Sequence, residues 1–98
     1  SFELPLGAQW AIEKFKADAV ICLGSVIRGE TAHFDYVCQA VSQGVKDVSL
    51  SHSLPVVFGV LTDDNIEQSR ARSGGIHGNK GTEAAVTAIK MLHLRDSM

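Results

Sequence analysis

Charge of one sign, cysteine and long apolar runs are all scarce in this sequence, and each scarcity removes a class of function. Nine basic side chains against eleven acidic ones leave a net charge of −2, and Arg28, Arg70, Arg72, Lys80 and Lys90 form no basic run. A nucleic-acid surface needs a concentration of cations, so nucleic acid is not an expected partner. The only cysteines, Cys22 and Cys38, lack the spacing of a metal clasp or redox pair and are too few for a disulfide framework. They read as small core residues of a reducing compartment. No apolar stretch approaches the ~20 residues that cross a bilayer, and no basic segment followed by an apolar one opens the chain. No membrane partner is therefore expected, and the expected location is the cytoplasm, or a plastid after removal of a transit peptide.

What is present suits one small globular domain over residues 1–98, with 45% hydrophobic and 20% charged residues. A chain of this length buries roughly 60–65% of the surface its unfolded form exposes. Ser1 to Leu4 has the alternation of a strand end, and Pro5 opens a helical pattern at a first-turn position. Leu6, Trp10, Ile12 and Phe15 mark the expected inner face of that helix, with Trp10 in the core. Ala19 to Gly24 is a short continuous apolar run, as in a strand buried on both faces of a parallel sheet. Phe34, Val37, Cys38, Val41, Val45 and Val48 then trace the stripe of a helix from about Ala32 to Leu50, with Thr31 as its N-cap. Gly44 inside that stripe is a candidate for close packing.

Ser51 to Ser53 reads as loop with a solvated His52, and Pro55 to Leu61 as a second buried strand. Asp64 and Glu67 have capping-box spacing for a helix running to about Arg72, which Ser73 to Gly75 ends. Ala85, Ala88, Ile89 and Leu92 form the face of a last helix running to about Leu94. Alternating strands and helices predict an α/β sandwich with a parallel sheet. In such a sheet ligands sit beyond the carboxyl ends of the strands, which places Gly24 to Thr31 and Thr62 to Asn65 on one rim.

The chemistry concentrates between Cys22 and His33, where an apolar run gives way through Gly24-Ser25 and Gly29-Glu30-Thr31 to the head of a helix. Unpaired backbone N–H groups and the positive end of the helix dipole favour an anion there, most often phosphate. An ordinary strand-to-helix turn has the same signature. His33, just inside the helix, is placed to exchange protons near neutral pH, and Arg72 and Lys80 are the candidate cations. Gly74 to Gly81 invites comparison with a nucleotide-binding loop. Asn79 stands where Gly and Lys must be adjacent, however, and Gly81 replaces the Ser or Thr that holds magnesium, so that reading is rejected.

Ser-Phe-Glu-Leu-Pro from Ser1, Val-Ile-Arg-Gly-Glu-Thr-Ala-His-Phe-Asp-Tyr-Val from Val26, Val-Phe-Gly-Val-Leu-Thr from Val57, Asn-Ile-Glu-Gln-Ser from Asn65 and Gly-Asn-Lys-Gly from Gly78 together resemble the lumazine synthases. The resemblance spans essentially the whole chain. It implies a three-layer α/β/α sandwich with a flavodoxin-like sheet. The activity implied is condensation of 5-amino-6-ribitylaminouracil with 3,4-dihydroxy-2-butanone 4-phosphate to 6,7-dimethyl-8-ribityllumazine, water and phosphate, with no metal or organic cofactor. Gly29, Glu30 and Thr31 would hold the phosphate, and His33 would assist proton transfers. Ser1, Phe2 and Glu3 would meet the pyrimidine and ribityl chain, and Ser25, Val26 and Ile27 would line the ring pocket. Phe58, Arg72 and Lys80 would act on the pocket of an adjacent subunit, Arg72 on the phosphate and Lys80 on the pyrimidine. The implied partners are these small molecules, further copies of the chain in a pentamer, decamer or 60-subunit shell, and riboflavin synthase.

Two departures stand out. Ile76 occupies a position where the family commonly carries Lys, with His77 beside it, so a weaker positive field is expected there. The family also begins with a strand, an aromatic-bearing turn and a helix upstream of the position of Ser1, so a protein longer than this sequence is expected. Two other readings stay open: a non-catalytic shell or ligand carrier of the same fold, and a monomeric flavodoxin-like phosphate-binding domain.

Overall fold

The computed structural model describes residues 1–98. In chain order its elements are α1 (Leu4–Phe15), β1 (Val20–Ile27), α2 (His33–His52), β2 (Val56–Asp63), α3 (Ile66–Ala71), β3 (Ser73–Gly75), β4 (Gly78–Asn79) and α4 (Lys80–Ser97). The expected alternation of helices with a parallel sheet is present. β1 and β2 pair in parallel, from Val20 opposite Val56 to Ile27 opposite Asp63, while β3 and β4 form a separate antiparallel ribbon.

Because successive strand residues point to opposite faces, parity assigns the sheet's two surfaces. Cys22, Val56 and Val60 pack with Ala8 and Ile12 of α1 and with Val41, Val45 and Val48 of α2. This is the core, and the α2 stripe lies where the spacing of its apolar residues puts it. The opposite face meets α4, where a Cβ built on Gly59 would lie 3.3 Å from Ala84 Cβ. Gly44 is the close-packing position anticipated: an added Cβ would sit 2.5 Å from Pro5 Cγ of α1.

Several expectations are corrected. Ser1 to Leu4 is a turn into α1 rather than a strand, its backbone satisfied locally by Leu4 N–H to Ser1 O at 3.0 Å and Gly7 N–H to Glu3 O at 3.0 Å. Of the expected inner face of α1 only Ile12 is buried: Trp10 is 61% exposed and Phe15 77% exposed, with Leu6 also exposed, and Ala8 joins Ile12 in the core. β1 runs on to Ile27, and it is buried on one face only. Ile21 and Leu23 are exposed, since α4 reaches mainly β2 in a sheet two strands wide.

At its end α2 runs through His52, whose Nδ1 lies 2.9 Å from Val48 O, so this half-buried ring belongs to the last helical turn and not to a loop. Ser73 to Gly75 is a strand of the small ribbon, which needs glycine at Gly74 and Gly78 because φ there is 100° and 94°. In α4 the covered positions are Ala84 and Ala88, whereas Ala85 and Ile89 face outward. Both cysteines are free, Cys22 buried and Cys38 half-buried.

Candidate active site

β1 and β2 end side by side, and the segments that follow them build the site. Residues 28–32 link β1 to α2 without regular structure. The N–H groups of Gly29, Glu30, Thr31 and Ala32 donate to no protein acceptor. Thr31 is not the N-cap. That position is Ala32, which offers no side-chain bond, and Thr31 Oγ1 instead accepts the His33 N–H at 3.3 Å. The result is a run of free donors at the start of a 20-residue helix, where the dipole adds to them. His33 is exposed beside it.

Two carboxylates near this loop oppose an anion, and Arg28 neutralises them. Its Nε donates to Asp64 Oδ1 at 2.8 Å, and its Nη1 stands 3.6 Å from Asp35 Oδ1. The guanidinium also lies 4.4 Å from the centroid of the Phe34 ring, an ordinary cation–π distance. Hydrogen bonding to Asp64, reinforced by the charge of Asp35, raises the Arg28 pKa. Arg28 is thus engaged as a clamp between Asp64 and the first turn of α2.

Arg72 closes α3 and is held by β2. Its Nη1 donates to Asp63 Oδ1 at 3.3 Å, with Arg72 at 42% and Asp63 at 7% side-chain exposure. Asp63 Oδ2 accepts the Ser69 hydroxyl at 2.9 Å, and Ser69 Oγ lies 3.0 Å from Ser25 Oγ on β1. The Asp63 carbonyl accepts the Arg28 N–H at 2.8 Å. A site residue of β1 and the candidate phosphate cation are therefore joined through two residues that the motif reading did not single out. The missed signal was parity: Asp63 continues the odd positions Gly59 and Leu61, so its carboxylate had to point to the sheet face that meets α3 and α4. The capping-box spacing predicts helix-start chemistry one residue further on, at Asp64. That chemistry belongs to Asn65, whose Oδ1 accepts the Gln68 N–H at 2.9 Å, with Gln68 Oε1 returning to the Asp64 N–H at 2.7 Å.

The remaining site residues fall into separate places. Phe58 and Lys80 line a cavity of about 330 Å³ with Glu83 and Met91. Ser1 and Glu3 line another of about 550 Å³ along Val20 to Gly24 of β1. Neither includes residues 28–33, and Phe2 is exposed outside both. Val26 packs against the core and Ile27 is partly exposed on the opposite face. The glycine-rich stretch is no phosphate cradle, because the His77 N–H is bonded to Ala71 O at 2.8 Å and the Lys80 N–H to Arg72 O at 2.7 Å.

Against known proteins, the family model described as 6,7-dimethyl-8-ribityllumazine synthase matches residues 1–96. A protein of that name from Cytophaga hutchinsonii is 63% identical over 92 residues, covering 94% of this chain and 58% of the relative. Its namesake from Christiangramia forsetii is 59% identical over 96 residues, covering 97% and 57%. That from Flavobacterium johnsoniae is 57% identical over 95 residues, covering 97% and 50%. The chain spans about half the length of the curated relatives it matches.

Proposed function

The chain belongs to the 6,7-dimethyl-8-ribityllumazine synthase family, and from that premise we propose that the protein condenses 5-amino-6-ribitylaminouracil with 3,4-dihydroxy-2-butanone 4-phosphate. The 5-amino group and the ketone form an imine with loss of one water, phosphate is eliminated to leave an enol that tautomerises to a ketone, and the ribityl-bearing nitrogen closes the ring onto that ketone with loss of a second water, giving 6,7-dimethyl-8-ribityllumazine. The observation that carries the reading is the run of free N–H donors from Gly29 to Ala32 at the head of α2, a seat for the substrate phosphate. Thr31 adds its hydroxyl there. His33, next to the seat, moves protons during imine formation and phosphate loss. Because both reactants are already reactive, holding them together supplies much of the acceleration.

Ser25, Val26 and Ile27 line the ring pocket, Ser1 and Phe2 meet the pyrimidine, and Glu3 accepts hydrogen bonds from ribityl hydroxyls. Phe58, Arg72 and Lys80 complete the pocket of a neighbouring copy. The separation of Phe58 and Lys80 from residues 28–33 within one chain supports a site assembled between chains of a pentamer or a larger shell, each contributing one flavodoxin-like three-layer domain. We place this assembly in the cytoplasm or a plastid, where free Cys22 and Cys38 stay reduced.

The test supplies both substrates to the full-length protein and follows lumazine absorbance and fluorescence. Turnover is expected from the unaltered protein, and Arg72→Ala is expected to abolish it with the assembly intact by light scattering. Full activity of that variant refutes the assignment of Arg72. No turnover by an assembled, unaltered protein favours a non-catalytic shell.

A further inference from the structure

We propose that Asp63 is a positioning residue for Arg72, and that Ser69 and Ser25 brace it. The inference rests on the reading of Arg72 as the cation for the substrate phosphate. Asp63 is nearly buried at the end of β2, and both its carboxylate oxygens are engaged, one by Ser69 at 2.9 Å and one by Arg72 at 3.3 Å.

The direction of the chain of bonds follows from donor arithmetic. A serine hydroxyl has one proton. Ser69 donates its proton to Asp63, so at the 3.0 Å contact between the two hydroxyls Ser25 is the donor and Ser69 the acceptor. The carboxylate is thus fixed from behind by a hydroxyl whose own orientation is fixed from β1. Ser73 Oγ donates to Ser69 O at 2.7 Å, which ties the same turn of α3 to the residue that follows Arg72.

In front, the bond from Asp63 takes one N–H of a guanidinium that has five. The remaining donors stay free on a side chain that is 42% exposed, enough for a forked contact with a phosphate. Asp63 therefore restrains the direction of Arg72 without occupying it. A freely rotating arginine would lose that freedom on binding, and a restrained one has already lost part of it. The Asp63 carbonyl also accepts the Arg28 N–H at 2.8 Å, so one residue fixes the start of the phosphate loop by its main chain and the cation by its side chain.

The test uses Asp63→Asn in the full-length, assembled protein, since an amide of the same shape keeps an acceptor but loses the charge. KM for the phosphate-bearing substrate and the inhibition constant of inorganic phosphate are expected to rise about tenfold, the equivalent of ~1.4 kcal/mol. KM for the pyrimidine should stay unchanged, and the melting temperature should fall by no more than the few degrees that one lost hydrogen bond costs. Ser69→Ala should give a smaller rise of the same kind, and it serves alone should the asparagine variant not assemble. In an Arg72→Ala background, where turnover is lost, the dissociation constant of inorganic phosphate is read directly by calorimetry, and Asp63→Asn should add nothing to it, because it acts through the group already removed.

An effect that persists in full in that background, or one that moves both KM values equally, overturns the positioning role in favour of a structural one. Phosphate binding by calorimetry weakened by Arg72→Ala but untouched by both Asp63→Asn and Ser69→Ala overturns this inference alone. Phosphate binding untouched by Arg72→Ala overturns the reading of Arg72 and this inference with it.

Discussion

Replacing Gly44 by Ala sets two opposite effects against each other, and the structure decides the sign. In a helix interior, alanine is favoured over glycine by about 1 kcal/mol, so propensity alone predicts a more stable protein. The new Cβ, however, would lie 2.5 Å from Pro5 Cγ and 2.8 Å from Pro5 Cβ. These are atoms of a closed ring on the backbone of α1, not the far end of a flexible side chain. Reaching ordinary carbon–carbon contact requires α1 and α2 to separate by about 1 Å, in a core where Val41 is fully buried. Forced separation of a packed core costs about 1–3 kcal/mol, leaving a net loss of about 1 kcal/mol. For a domain of this size that is roughly 4–8 °C in Tm. Thermal melts at one fixed protein concentration should therefore show Gly44→Ala below the unaltered protein. In a Pro5→Gly background, which removes both atoms, the same change should become neutral or stabilising. A higher Tm for Gly44→Ala with Pro5 present would show that the two helices do not meet as described.

Other outcomes follow from single contacts. Asn79 caps α4 by accepting the Thr82 N–H at 3.0 Å, so Asn79→Ala should cost about 1 kcal/mol in urea denaturation, whereas Asn79→Ser should cost much less. Burial pushes the Cys22 thiol pKa above its ordinary value, so the folded chain keeps a proton that the unfolded chain loses. Stability from this group is full below the ordinary thiol value and falls as pH rises toward the folded one. Denaturation midpoints of Cys22→Ala should consequently lose less on going to alkaline pH, and identical pH profiles would refute the account. Ile76 is 88% exposed where a lysine is common among family members. Ile76→Lys should lower the inhibition constant of inorganic phosphate, and His77→Ala should raise it if the neighbouring ring compensates. An unchanged constant in His77→Ala excludes that compensation.

What could be read in advance divides by how the information is carried. α2 was legible because a long stripe at helical spacing states both the element and its buried face. α1 is legible as a helix and at Ile12, but size misleads about the rest of its inner face: the core takes the small Ala8 beside Ile12, and Trp10 and Phe15 stay outside. The one-sided burial of β1 depends on the width of the sheet and on where α4 crosses, neither of which a local run of apolar residues contains. At the site, the turn after β1 announced itself by composition. The bonds among Ser25, Asp63, Ser69 and Arg72 did not, because Ser25 and Ser69 are 44 residues apart and nothing in either segment names the other.

The placement of Asp63 also bears on how the chain reaches its fold. β1 and β2 offer similar apolar runs, and a strand slipped by one residue would exchange its faces. Asp63 would then enter the apolar core beside α2, away from Ser69 and Arg72, as a buried charge without partners. Such a burial costs several kcal/mol. The residue that aims the phosphate cation is thereby also a proofreader of strand register, and a chain misaligned at the sheet is penalised at the point where its chemistry would fail.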